Sequence, residues 1–204
     1  MVNFDKQFLD ENVKIIAGID EAGRGPLAGP VSVAGVIMPL DDKDIIEGIN
    51  DSKKLTEKKR EKLFDQIIEK AVSYHIEFVD VETIDSINIL NATKLGMKKC
   101  IEALNPVPDL VLIDAVKLEE KVKTVGIIKG DAQSYNIACA SILAKVARDR
   151  LMVQLDEIYP EYNFKKHKGY GTKEHIEALK KYGKSDIHRN SFIGHFVGDN
   201  NAKK

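Results

Sequence analysis

The sequence predicts an α/β protein built on a mixed five-stranded sheet flanked by helices, with a small helical lobe toward the C-terminal end. Three observations predict it. Short apolar runs bounded by acid, glycine or proline alternate with longer segments of three- and four-residue apolar spacing. Two of the short runs, near residues 14–20 and 31–38, follow one another without a helix between them, which makes the sheet mixed. From about residue 157 the chain turns basic and glycine-containing, with only short helical signals. At 204 residues the length suits one domain. We expect a core over about 13–156 and a lobe over about 157–204.

Each element has its own reason. Residues 14–20 form an apolar run ending in Asp20, a buried strand meeting a loop, and 31–38 a second strand stopped by Pro39. A helix follows over about 57–71, with Leu63, Phe64, Ile67, Ile68 and Ala71 on one face. Val72, Tyr74, Ile76 and Phe78 then alternate with Ser73, His75 and Glu77, which reads as a strand with one dry face and a solvated His75. A helix over about 87–104 turns Leu90, Met97, Ile101 and Leu104 inward and ends before Pro106 and Pro108. Residues 110–114 are a buried strand ending in Asp114, and 122–128 a further strand. Ile137, Ala140, Ala144, Ala147 and Leu151 mark a long helix whose small residues suit close packing on the sheet. A last helix runs from Thr172, as N-cap, to Gly183.

Composition excludes more than it selects. Thirty-one basic and 32 acidic residues give a net charge of −1, so a nucleic-acid partner would require segregation of Lys and Arg onto one face. Cys100 and Cys139 lie in apolar-periodic segments without metal or redox spacing and read as buried thiols in a reducing compartment. No run is long and apolar enough to span a bilayer, and the opening residues lack a signal-peptide pattern, so cytoplasm is the expected location. No long unexplained apolar face calls for an obligate dimer, and a monomer is expected.

Four acids stand where packing explains them poorly. Asp20-Glu21 and Asp114 end apolar strands, and Asp131 lies just before the long helix, where capping is its ordinary role. Such ends can converge on one edge of an α/β sheet. A cluster of hard oxygen ligands without His or Cys suits Mg²⁺ or Mn²⁺, and two such ions about 4 Å apart support phosphodiester hydrolysis. Neighbouring residues on a strand point to opposite faces, so Asp20 and Glu21 both ligate only if the chain bends or a backbone carbonyl serves. The glycines around this pair fail two nucleotide motifs. Gly18 and Gly23 have P-loop spacing, but Arg24-Gly25 stands where Lys and Ser or Thr are required. Gly23, Gly25 and Ala28 fit a dinucleotide fingerprint, yet a strand follows where a helix should open. What remains is a glycine loop open to a ligand beside two carboxylates.

Seven segments, in order, resemble the ribonuclease HII family: Asp20-Glu-Ala-Gly-Arg-Gly, Asp51-Ser-Lys-Lys-Leu, Leu112-Ile-Asp114, Lys129-Gly-Asp131-Ala, Ala140-Ser-Ile-Leu-Ala-Lys-Val-Ala-Arg-Asp-Arg150, Lys168-Gly-Tyr-Gly-Thr172 and His188-Arg-Asn-Ser-Phe192. The resemblance implies a ribonuclease H-like fold and an endonuclease that acts on RNA–DNA hybrids and cuts 5′ of single ribonucleotides in duplex DNA. The products it implies are 3′-hydroxyl and 5′-phosphate ends. By resemblance Asp20, Glu21, Asp114 and Asp131 hold two Mg²⁺ or Mn²⁺ ions. Gly23, Arg24 and Gly25 form a loop sensing the 2′-hydroxyl, and Tyr170 packs on that ribose at the RNA–DNA junction. Lys53, Lys54, Lys145, Arg148, Lys168 and Arg189 are candidate phosphate contacts; Ser141 and His188 lie in matched segments without an assigned chemistry. The related ribonuclease HIII carries an extra N-terminal domain and lacks the junction tyrosine; Arg24, Tyr170 and the dozen residues before the first strand favour type HII. A non-catalytic hybrid-binding module, or another nuclease of the same superfold, stays open as a rival.

Overall fold

The computed structural model describes residues 1–197; the last part of the expected lobe, 198–204, lies outside the described residues. Five strands, β1 (Ile16–Ala22), β2 (Val31–Ile37), β3 (Ser73–Val79), β4 (Leu110–Asp114) and β5 (Lys123–Ile127), form one sheet in the order β3-β2-β1-β4-β5. The β1–β2 and β2–β3 pairs are antiparallel, and β1–β4 and β4–β5 are parallel. The sheet is mixed, as the adjacent first two strands require.

Seven helices surround it among the described residues: α1 (Val2–Lys6), α2 (Glu57–Lys70), α3 (Val81–Ala103), α4 (Tyr135–Ile158), α5 (Phe164–His167), α6 (Lys173–Tyr182) and α7 (Asn190–Ile193). The two sheet faces carry different helices. On one, Ala34 and Val36 of β2 pack with α2 and α4, and Ile16, Leu110 and Leu112 pack with Ile137. On the other, Ala17, Ile19, Val33 and Ile113 meet Met97, Cys100, Ile101 and Leu104 from the C-terminal half of α3 and its end. Burial of these apolar faces, at about 25 cal/mol per Å², is the main force holding the layers together.

The central helix is α4, buried on nearly every side over Tyr135–Ala144. Its approach to β1 depends on Gly18. A Cβ there would lie 2.2 Å from the Asn136 carbonyl carbon and 2.4 Å from the Ile137 nitrogen, so only glycine lets the helix backbone come so near. Ser134 caps the helix, its hydroxyl accepting from the Ile137 N–H. Asp5 of α1, fully buried, accepts from the Asn136 N–H and side-chain amide, both at 2.9 Å, tying the first helix to the same end of α4.

Two packing expectations need correction. Tyr74 and Phe78 are not on a dry face: each is 40% exposed, because β3 is an edge strand and only Ile76 of that face reaches the α2–α4 cluster. The opposite side of β3 lies toward α3, where Glu77 accepts from Lys99 at 2.8 Å and His75 lies 3.3 Å from the same carboxylate. Leu90 is likewise exposed rather than inward. Asn88, at φ 66°, breaks α3 into two segments and caps the second by accepting from the Asn91 N–H, which resets the phase of the helix. Met97, Ile101 and Leu104, beyond the break, are buried as their spacing predicts.

Beyond α4 the chain folds back as short helices with their own apolar clusters. One comprises Met152, Tyr162 and Phe164 with Ala28; the other comprises Leu179, Ile193 and Val197 with Leu27. Thr172 caps α6 and Gly183, at φ 80°, ends it, as the sequence predicts.

Candidate active site

Because β1 and β4 run parallel with Ile19 opposite Ile113, the residues that follow, Asp20 and Asp114, stand side by side on the same face. Asp131 comes from a 3₁₀ turn, Gly130–Ala132, between β5 and α4. It is not the cap of α4; Ser134 is, and Asp131 is thereby left for the site. Oxygens of Asp20, Asp114 and Asp131 lie within 4.8 Å of one another. The Gly130 N–H donates to Asp114 at 2.7 Å, fixing one carboxylate oxygen and linking two of the three segments.

Strand alternation sets Glu21 apart. Pairing with β2 continues regularly through Glu21 and Ala22, so the chain does not bend and Asp20 and Glu21 point to opposite faces. Glu21 therefore flanks the triad. Its Oε1 faces the Arg24 guanidinium at 3.4 Å, while its buried Oε2 has no hydrogen-bond partner among the described residues.

The electrostatics are those of a site short of positive charge. Burial first, then the charges of Glu21 and Asp114, push the Asp20 carboxyl well above its ordinary range. Burial also raises Glu21, against the pull of Arg24. Asp131 is raised by burial, then by Asp114 and Asp51, with Lys53 opposing. Two like charges 4 Å apart repel by about 4 kcal/mol even at an effective dielectric of about 20. Lys53, 3.7 Å from Asp131 and 81% exposed, is too well solvated to balance three acids. Three converging carboxylates, an all-oxygen donor set, fit a hard divalent cation.

Beside the acids lies a cleft of about 240 Å³ bounded by Asp20, Glu21, Gly23–Gly25, Ser52, Lys53, Ser141, Lys145 and Tyr170. Lys53 also borders an adjoining groove of about 470 Å³ with Lys54, Asp114 and Asp131. Gly25 has open space where a Cβ would be, so a ligand can reach its backbone. Gly23, at φ 96°, is buried against Arg148. Tyr170 stands across the loop, 41% exposed, with Lys145 and Arg148 each 5.9 Å from its ring centre.

Arg148 and Arg189 are not surface cations awaiting phosphate; this corrects their sequence assignment. They are 1% and 0% exposed and have backbone partners. Arg148 donates to the carbonyls of Ala28, Pro30 and Lys168, at 2.9–3.0 Å. Arg189 donates to those of Gly23, Arg24 and Gly29, at 2.6–2.9 Å. Together they clamp the glycine loop from below. The ammonium of Lys168 bonds the Lys165 carbonyl. Lys145 pairs with Asp149 at 2.8 Å yet borders the cleft, and Lys53 and Lys54 remain well exposed.

Three site residues carry no assignment from the sequence. Ser52 and Ser141 share a buried 2.7 Å hydrogen bond, and Ser141 lies near enough to Asp20 to favour its charged form. Asp51 lies beside Asp131 and bonds the Lys53 N–H. All lie inside matched segments, but nothing in a serine's spacing distinguishes such a bond.

Fold and site define the class: a ribonuclease H-like α/β protein with an acidic, hard-cation site at one sheet edge. The sequence matches the family model of ribonuclease HII over residues 17–195. Among curated relatives, the ribonuclease HII of Caldicellulosiruptor saccharolyticus is 56% identical over 190 residues, covering 93% of this chain and 92% of its own. That of Acetivibrio thermocellus is 56% identical over 198 residues, covering 97% and 77%. Of solved structures, the ribonuclease H2 of Pyrococcus horikoshii is 28% identical with a TM-score of 0.70, over 87% of this chain and 93% of that one. The Archaeoglobus fulgidus ribonuclease HII, solved in complex with PCNA, is 28% identical with a TM-score of 0.74, over 86% and 94%. The chain belongs to the ribonuclease HII family, and with it is a metal-dependent endoribonuclease.

Proposed function

We propose that this enzyme hydrolyses the RNA strand of RNA–DNA hybrids and cuts 5′ of single ribonucleotides embedded in duplex DNA, leaving 3′-hydroxyl and 5′-phosphate ends. The observation that carries the reading is the meeting of Asp20, Asp114 and Asp131, from three distant segments, at the mouth of a cleft bounded by a glycine loop and an exposed tyrosine. In this reading Asp20, Asp114 and Asp131 hold two Mg²⁺ or Mn²⁺ ions by their carboxylates, and Glu21 joins them through its backbone carbonyl, the route an unbent strand leaves open. Bound there, such ions would lower the pKa of water and neutralise charge on the leaving oxygen.

The chain's own residues do the rest. The three aspartates would place those ions against the scissile phosphate at the adjoining ends of β1 and β4. The backbone of Gly23–Gly25 meets the 2′-hydroxyl, the one group that separates RNA from DNA at a given nucleotide. Tyr170 packs on the sugar at the RNA–DNA junction. Lys53, Lys54 and Lys145, at the cleft, steer flanking phosphates.

The test is a labelled DNA duplex carrying one ribonucleotide, incubated with and without Mg²⁺ or Mn²⁺. Metal-dependent cutting 5′ of the ribonucleotide is expected, with Asp20→Asn and Asp131→Asn each lowering the rate by about a thousandfold or more while folding normally. Parent-like rates in either variant would remove the metal assignment.

A further inference from the structure

The lobe contains a buried cluster of histidines that the acids and the glycine loop do not use. His175 and His188 are 0% and 2% exposed, packed among Tyr162 and Phe164. Their four ring nitrogens all have partners, and the partners at the two ends fix the direction of the whole chain.

At one end, His175 Nδ1 lies 2.9 Å from the Tyr170 carbonyl. A carbonyl only accepts, so Nδ1 carries the proton. At the other end, the Ser185 backbone N–H points at His188 Nδ1, at 2.9 Å, and the Ser185 hydroxyl lies 2.8 Å from it. A backbone N–H only donates, so this Nδ1 is bare and His188 carries its proton on Nε2. The two rings meet Nε2 to Nε2 at 3.0 Å, and only one neutral arrangement serves both: His188 donates and His175 accepts. The relay runs Ser185 to His188 to His175 to the Tyr170 carbonyl.

We propose that His175 and His188 are positioning residues for Tyr170, the relay fixing its main chain and therefore where its ring stands over the glycine loop. Four further contacts make that position matter. The Thr172 N–H shares the same carbonyl at 2.8 Å, and the Tyr170 N–H donates to the His167 carbonyl at 2.9 Å. The neighbouring Gly169 carbonyl accepts from the Leu27 N–H at 2.8 Å, and His188 itself bridges to Ala28. One network thus indexes Tyr170 to the loop it works with. With Tyr170 41% exposed, backbone bonds rather than packing set its place. The inference rests on the reading of Tyr170 as the junction residue.

The experiment compares kcat/KM on a duplex with one ribonucleotide and on a long hybrid. In His175→Leu, which keeps volume but loses the donor, the single-ribonucleotide value falls by about tenfold more than the hybrid value, as expected for a displaced contact residue. His175→Asn places an amide donor near the lost Nδ1–H and recovers most of that difference. Equal losses on both substrates in His175→Leu, or no recovery in His175→Asn, overturn the relay. Tyr170→Ala run alongside separates the two claims. If it shifts the ratio and His175→Leu does not, the relay fails and the junction reading stands; if Tyr170→Ala lowers both substrates equally, the junction reading itself fails. Imidazole ¹⁵N correlation spectra of the parent, whose five histidines make assignment tractable, check the relay without any variant. They should show His175 protonated on Nδ1 and His188 on Nε2, and the opposite tautomer at His175 overturns the proposal.

Discussion

Arg148 and Arg189 show how one side chain's type can mislead about its work. Each is cationic and sits in a segment expected to touch nucleic acid, yet each is buried with no carboxylate partner among the described residues. Burial pulls their guanidinium pKa values down to about 10 and about 9, and both stay charged at neutral pH. Their planar forks satisfy three carbonyls apiece, which a lysine cannot reproduce. Arg189→Lys should therefore leave loop carbonyls unpaired, lowering stability by about 2–4 kcal/mol in urea unfolding and weakening ribonucleotide discrimination. An unchanged unfolding midpoint would show that the fork does not hold the loop. The acids were legible because strand-end carboxylates have few other uses. The arginines were not, since nothing local separates a charge facing phosphate from one facing carbonyls. The same holds for Glu21: sequence gives its place beside Asp20, but only the unbroken β1–β2 pairing puts it on the other face.

At the scale of elements, α4 against β1 is the joint on which the site depends, because α4 brings Ser141 and Lys145 toward Asp20. Gly18→Ala would drive a methyl group into helix backbone, which cannot yield as a side-chain tip can. We expect a loss of about 2–3 kcal/mol, read by thermal or urea unfolding. Element order and the long helix followed from apolar spacing, since periodicity reports burial directly. The edge position of β3 and the break at Asn88 did not, because strand order and a single left-handed residue leave no periodic trace. The lobe carries a pH dependence of its own. Burial holds His175 down to about 4 and His188, buried beside it, to about 3, against about 6.5 when unfolded. Both are neutral above pH 6.5 in either state, where their contribution is fully present. As pH falls toward 4 the unfolded chain takes protons that the folded one refuses, and stability drops. Hydrogen exchange should show amides of α5 and α6 losing protection in this window before those of β1 and β4. Equal loss in both regions would contradict it.

For the molecule as a whole, the acidic edge makes stability depend on divalent ions. Without a cation, three crowded carboxylates oppose folding; with one, their repulsion becomes ligation. At a hundredfold excess over Kd, Mg²⁺ or Mn²⁺ should add about 2.7 kcal/mol, raising Tm by about 5–10 °C for a protein of this size. Asp131→Asn should melt higher than the parent without metal, through relief of repulsion, and gain less on adding it. A parent Tm indifferent to both ions would contradict the fit of the site to a cation.

The arginine clamp also orders events in time. Arg189 meets Gly23 across 166 positions of sequence, and Arg148 meets Ala28 across 120. A chain emerging from the ribosome can pair its early strands long before either guanidinium exists. The glycine loop takes shape only when the segment carrying Arg189 is made and folds back over residues 23–29. On the proposed reading, discrimination between ribose and deoxyribose waits on residue 189, long after the strands of the sheet have been made.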